Sequence, residues 1–150
     1  PPEHGVDMRR MSKRARAICP TLFRCAHTQS GPERRSLLHG AAYLFLVKDG
    51  AVLLSKRANT GFRDGEFSLV AGHMRRGETA AEAMSREAYE EIGLEIPVEE
   101  LEILSAMHRP SGDLEYLDFY LRPKSWSGEI SNREPTKCNE LEFFSLTCLP

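Results

Sequence analysis

Residues 72–94 read GHMRRGETAAEAMSREAYEEIGL, a glycine-bounded loop running straight into a helix-forming stretch. No other part of the chain restricts the fold as strongly. Thr79 followed by Glu82 is a capping-box pair and Gly93 is a C-terminal stop, so the spacing predicts a helix over residues 79–92. On a wheel of about 100° per residue, Ala81, Met84, Ala88 and Ile92 share one arc, with Glu87 and Glu91 on its flank and Glu90 beyond. The helix should therefore pack by one side and carry acids along that edge. Glu87, Glu90 and Glu91 stand at i, i+3 and i+4, where side chains are neighbours. Three carboxylates so placed repel one another unless a cation sits between them. Hard cations such as Mg2+ take oxygen ligands and are commonly held by a few carboxylates together with substrate phosphates. The spacing points to a divalent-metal site for phosphate chemistry; the bland alternative is a solvated acidic helix face, the commonest fate of a glutamate cluster. Glu91 lies closest to the buried arc, where burial without a cation penalises the charged form, and is the best single candidate for a direct ligand.

Gly72, Glu78, Arg86, Glu87, Glu90, Glu91 and Gly93, with Ala88 and Leu94 in the two apolar slots, fill every specified position of the signature of the Nudix hydrolases, which this segment resembles. With average residue usage, seven fixed identities match one window by chance at about one in 10^8. The resemblance is dense over this segment and looser over residues 37–150. It implies that Glu87, Glu90 and Glu91 coordinate Mg2+ or Mn2+ ions that clamp a diphosphate and acidify a bound water. It also implies that the main-chain carbonyl of Ala71 completes the metal shell. Arg86 would orient a carboxylate with its planar donors. Glu78, a favourable charge at a helix N-terminus in any case, joins the metal set either as a ligand or as a support of the ligands. One departure is Val70, where many members have proline.

The nucleoside-triphosphate-hydrolysing branch of the family adds a loop glutamate that binds a further metal or acts as general base. Glu134, eight residues after Trp126, and Glu140 are rivals for that place, and either could be a plain surface acid. Arg57, at the end of an apolar run, is a candidate phosphate contact or an exposed strand-end cation. Tyr43, Phe62, Phe67, His108, Tyr116 and Trp126 could stack a base, although most aromatics at strand spacing are core. His73 and His108 read as loop or strand histidines rather than ligands.

The remaining pattern is strands, helix, strands, an α+β plan. AAYLFLV and AVLLSKR, separated by Lys48-Asp49-Gly50, read as a hairpin, and residues 66–71 as a short strand. LEILSAMHR, DLEYLDFYLR and NELEFFSL are strand-like, the first two separated by Pro110-Ser111-Gly112. The resemblance implies an α/β/α sandwich with a mixed sheet, from which the usual C-terminal closing helix is missing because the sequence stops at Leu149-Pro150. Residues 1–36 carry eight Arg or Lys against three acids and no sustained period, and read as a basic disordered tail. An Arg-rich organelle presequence is the weaker alternative. Residues 37–150, the expected hydrolase domain, carry twelve against nineteen, so a domain that handles phosphate would need metal to offset its own field.

The formal charge of −2 gives no general attraction to nucleic acid, and no apolar run is long enough for a membrane helix. Cys19, Cys25, Cys138 and Cys148 show neither zinc nor disulfide spacing. These features fit a cytoplasmic protein with a nucleotide-derived substrate, no stable nucleic-acid partner, and a homodimer as an open option. The expected activity is metal-dependent hydrolysis of the pyrophosphate bond in a nucleoside diphosphate linked to another group, with nucleoside triphosphates the first substrates to try. The basic tail is the one feature that argues for a capped RNA end. A non-catalytic nucleotide-binding or regulatory module of the same shape is the competing class, against which the complete glutamate set argues.

Overall fold

The computed structural model describes residues 37–150; the basic stretch 1–36 lies outside the described residues. The chain builds β1 (Leu38–Leu44), β2 (Val47–Lys48), β3 (Ala51–Arg57), β4 (Phe67–Ser68) and β5 (Val70–His73), followed by α1 (Ala80–Ile92). A 3-10 turn (Val98–Glu100) then leads into β6 (Leu101–Ser111), β7 (Leu114–Pro123) and β8 (Cys138–Ser145). One sheet has the order β5-β1-β7-β6, with β1 and β7 parallel and the other pairs antiparallel. In the second sheet β8 runs along β3, while β2 and β4 pair with opposite ends of β3. A mixed sheet with one helix is the α+β plan expected, and no helix follows β8 among the described residues.

Three local expectations change. The apolar run AAYLFLV is not one arm of a hairpin: β1 belongs to the first sheet, and only Val47 and Lys48 cross to pair with Val52 and Ala51. The turn between β2 and β3 is as read, with Asp49 and Gly50 both at positive φ (51° and 76°), the backbone a tight hairpin needs. Residues 66–71 split between β4 and β5, which face different partners. Pro110 and Ser111 stay in β6, and the reversal is made at Gly112.

Alternation of side chains along the strands separates the two faces of the first sheet. Ala42, Leu44 and Leu121 are buried and pack with Met84, Ala88 and Ile92 of α1 in a continuous core, against which Phe119 leans. Each fully buried aliphatic side chain there contributes about 1.5–3 kcal/mol. The buried arc of α1 is Ala80, Ala83, Met84, Ala88 and Ile92; Ala81, placed in it from the wheel, is only half-buried. The N-terminal cap is the reciprocal one foreseen. Thr79 Oγ1 accepts from the Glu82 amide at 3.2 Å, and Glu82 Oε2 accepts from the Thr79 amide at 2.7 Å, an arrangement worth about 0.5–2 kcal/mol. Gly93 ends the helix in the left-handed region (φ 74°). No described helix is long and apolar enough to cross a membrane.

Candidate active site

The solvent-facing edge of α1 overlooks a large open cleft between the two sheets. Its walls include Ala71, Gly72, Glu87, Glu90, Glu91, Arg57 and Glu134. The cleft thus gathers residues from two strands, a helix and a loop. Arg86 is the hub behind it. Its Nε and Nη2 donate to the two oxygens of Glu78 at 2.7 and 2.9 Å, Nη1 donates to Glu87 at 2.6 Å and to Glu90 at 3.2 Å, and Nη2 also reaches the His73 carbonyl at 3.2 Å. The Glu78 bonds above all raise the pKa of this guanidinium, and one cation fixes three acids and the loop that precedes the helix. Arg75 adds a second, exposed contact to Glu90 at 3.3 Å.

Glu78 has both oxygens engaged, because Oε2 also accepts from the Arg75 amide at 2.7 Å. The Arg86 hydrogen bonds, then the Arg75 amide, hold its carboxyl down at about 2. Glu87 is shielded, with its side chain 14% exposed, and Glu90 is the outer member at 42%. Glu91 behaves oppositely to Glu78: burial, joined by the nearby charges of Glu87 and Glu134, pushes its carboxyl up to about 7, partly countered by a hydrogen bond from the Ala71 amide and by Lys137. Three carboxylates therefore feel one another across the cleft wall where the wheel placed Glu91 innermost.

Gly72 explains how Glu87 comes so near the sheet. A Cβ on this residue would lie 2.0 Å from Glu87 Cδ and 2.1 Å from Oε1, so only glycine lets the carboxylate rest against the strand backbone. The structure also separates the two rival glutamates. The Ser131 and Arg133 amides donate to the carbonyls of Ile92 and Glu91, at 3.0 and 2.9 Å. They satisfy acceptors that a helix C-terminus leaves open and bring the following residue, Glu134, alongside Glu91. Glu134 accepts from Lys137 Nζ at 2.8 Å. Glu140 sits on β8 opposite Lys56, with which it pairs at 3.5 Å, and is not part of the cleft wall.

Arg57 lines the cleft and donates to the Phe62 carbonyl and to Thr60 Oγ1, at 3.0 and 3.2 Å. Of the aromatic candidates, Tyr43, Phe62, Phe67 and Tyr116 reach the cleft, as does His73. His108 instead faces Glu115 at 3.5 Å, and Trp126 stacks on Phe143 and leans on the core. Asp118, Arg109 and Tyr120 also line the cleft. They were not foreseen, though an acid in the middle of the apolar run LEYLDFYL is the signal that marks them.

Among the described residues, no three His, Cys, Asp or Glu side chains are already drawn together as a cation site, since Glu87 and Glu90 turn toward Arg86. The donor chemistry is nevertheless that of a hard-cation site: carboxylate oxygens around a desolvated acid, with the Ala71 backbone on the same wall.

The acid-lined cleft is chemically suited to hydrolysis of phosphate anhydrides, and comparison with known proteins shows the family. The NUDIX domain model matches residues 37–149, and the chain belongs to the Nudix family of pyrophosphohydrolases. It is 38% identical over 120 residues to the ADP-ribose pyrophosphatase of Methanocaldococcus jannaschii, covering 77% of this chain and 68% of that protein. The fold superposes on the MutT NUDIX hydrolase from Burkholderia pseudomallei with a TM-score of 0.69 at 24% identity, over 77% of this chain and 88% of that one. It also superposes on the E. coli ORF135 protein with a TM-score of 0.63 at 20% identity, over 77% and 79% of the two chains.

Proposed function

We infer that this chain hydrolyses the pyrophosphate bond of a nucleoside diphosphate linked to a further group, and that it does so with Mg2+ or Mn2+. The observation that carries this reading is Glu91, desolvated on the cleft wall beside Glu87 and Glu134, where burial and the neighbouring charges disfavour the anion and a bound cation would favour it. Glu87, Glu90, Glu91 and the Ala71 carbonyl would hold the metal. When bound, such ions offset charge on the diphosphate and acidify a water. Glu78 and Arg86 act from behind as positioning residues, because both oxygens of Glu78 are taken up by the Arg86 guanidinium and the Arg75 amide. Glu134 is the residue that takes the proton of the attacking water, and its place in the cleft favours it over Glu140. Arg57, whose hydrogen-bond partners are neutral oxygens, contacts a substrate phosphate.

ADP-ribose is the first substrate to try, prompted by the archaeal relative, with the four common nucleoside triphosphates beside it. The test is incubation with this panel and Mg2+, following release of phosphate, pyrophosphate or nucleoside monophosphate. Turnover that EDTA abolishes is the expected result. Absence of turnover on every member, by folded protein that binds the metal, would overturn the reading in favour of a nucleotide-binding module.

A further inference from the structure

Beyond the acids, the cleft wall carries polar and aromatic side chains that bond cleavage does not use. Along β7, Leu117, Phe119 and Leu121 alternate with Tyr116, Asp118 and Tyr120, so the latter three stand on the sheet face opposite the α1 core. Asp118 is 1% exposed, the buried charged residue among those described. A carboxylate in that position is costly unless it is paired and hydrogen-bonded. Its partner is Arg109 of β6, whose Nε donates to Oδ2 at 2.7 Å and whose Nη2 reaches Oδ1 at 3.4 Å. The guanidinium lies 4.6 Å over the Tyr116 ring, and its charge also acts on the nearby Tyr43 hydroxyl. Tyr43 in turn stacks on Tyr120, with centroids 5.0 Å apart and planes 20° from parallel.

Arg109 is thus pinned along one edge by Asp118 and on one face by Tyr116, yet its side chain remains 35% exposed. A flat cationic plate with an open side remains, and its charge is already balanced by Asp118. A phosphate placed there would meet a buried carboxylate, so the corner does not suit the charged part of a substrate. It suits an uncharged planar ring bearing hydrogen-bond acceptors, because guanidinium groups and tyrosine rings both stack on nucleobases and guanidinium edges donate to them. The register sets the distance. Ala41 lies across from His73 on β5 and from Asp118 on β7, and Tyr43 lies across from Ala71 and Tyr120. Asp118 and Tyr120 are therefore two strand spacings, about 10 Å, from the strand that leads into the acidic helix. That span suits a sugar and diphosphate between the two ends.

We propose that Arg109, held over Tyr116 by Asp118, recognises the nucleobase of the substrate, with Tyr43 and Tyr120 forming the adjoining stacking wall. Arg109 is the specificity-determining residue and Asp118 its positioning residue. This assignment rests on the diphosphate being bound at the acidic end.

The test measures kcat and KM for wild type, Arg109→Ala, Arg109→Lys and Asp118→Asn on ADP-ribose, ATP, GTP, CTP and UTP. Inorganic imidodiphosphate, a diphosphate without a base, serves as competitive inhibitor. All three variants should lower kcat/KM for the best substrate by about 10- to 100-fold, chiefly through KM, while the inhibition constant of imidodiphosphate moves by less than about 3-fold. Asp118→Asn should also flatten the ranking of the bases, which a general loss of structure would not do selectively. Equal losses for substrate and imidodiphosphate, or no loss at all, overturn the proposal. Arg109→Lys keeps charge and bulk, so it remains informative if Arg109→Ala does not fold. If wild type turns over no substrate, the acid-end reading fails separately and the base site is tested by titrating adenosine, guanosine, cytidine and uridine against tyrosine fluorescence. Binding weakened at least about 10-fold by Arg109→Lys supports the site. No nucleoside binding, or binding that the variant leaves intact, overturns it.

Discussion

The two ends of the cleft are built in opposite ways. The acidic end comes from one short stretch of chain, in which Gly72, Glu78, Arg86, Glu87, Glu90 and Glu91 are brought together by a turn and the helix repeat. The aromatic end comes from β1, β6 and β7, and Tyr43, Arg109, Tyr116, Asp118 and Tyr120 meet only because three strands pair in register. Apart from Glu134, which a loop brings in from far along the chain, local geometry holds the groups assigned to bond cleavage, whereas long-range pairing holds the groups assigned to choosing a substrate. Side chains in the second set can therefore be exchanged without disturbing the first.

The sharpest way to break this comparison is at Glu91. Glu91→Gln should lower kcat by about 10^3-fold while leaving the fold and the base ranking intact, because several kcal/mol of charge stabilisation are lost at one point. Unchanged turnover in steady-state assays would remove Glu91 from the centre. Glu134→Gln should cost about 10^2-fold or more in kcat, the share of a general base, and Glu140→Gln less than about 3-fold, because Glu140 only meets Lys56 at the surface. The reverse order would give the role to Glu140. Gly72→Ala should cost about 10^2-fold, since the new methyl group forces the Glu87 carboxylate off the strand. The same substitution should leave nucleoside binding at the far end within about 3-fold in a fluorescence titration, and joint loss of both would show that the ends are not independent.

The smallest effect expected is thermodynamic. Glu91 has a folded-state pKa raised to about 7 from an ordinary 4.5, so the native state binds the extra proton and stability in EDTA should fall as pH rises between those values. The loss is of order 1–3 kcal/mol. Glu91→Gln should flatten the slope, and Mg2+ should stabilise the wild type more at pH 8 than at pH 5. Thermal denaturation at several pH values checks both. A slope of opposite sign would mean that acids such as Glu78, whose pKa is lowered, dominate.

How far the sequence foretold the molecule follows from the same contrast. The α1 boundaries, both caps and the outward position of Glu90 were legible because they depend on residues within a few positions of one another. Periodicity could not show that AAYLFLV divides between two sheets, since Leu44 and Val47 differ in their partners and not in their polarity. Glu134 and Glu140 looked alike in sequence. What separates them is that the residues before Glu134 bond to the end of α1, a contact between distant parts of the chain. The acid in LEYLDFYL was visible as an oddity, but Arg109, which explains it, lies across the β6–β7 pair.

That link between the Ser131–Arg133 loop and the end of α1 has a consequence for motion. The last turn of the helix cannot fray without releasing the loop, and the loop cannot leave without withdrawing Glu134 from beside Glu91. Local unfolding proceeds in contiguous cooperative units, and this unit joins a helix end to the residue assigned as general base. Hydrogen exchange at the Ser131 and Arg133 amides would then record how often Glu134 leaves the side of Glu91, and conditions that slow this exchange would lengthen the time the two acids spend together.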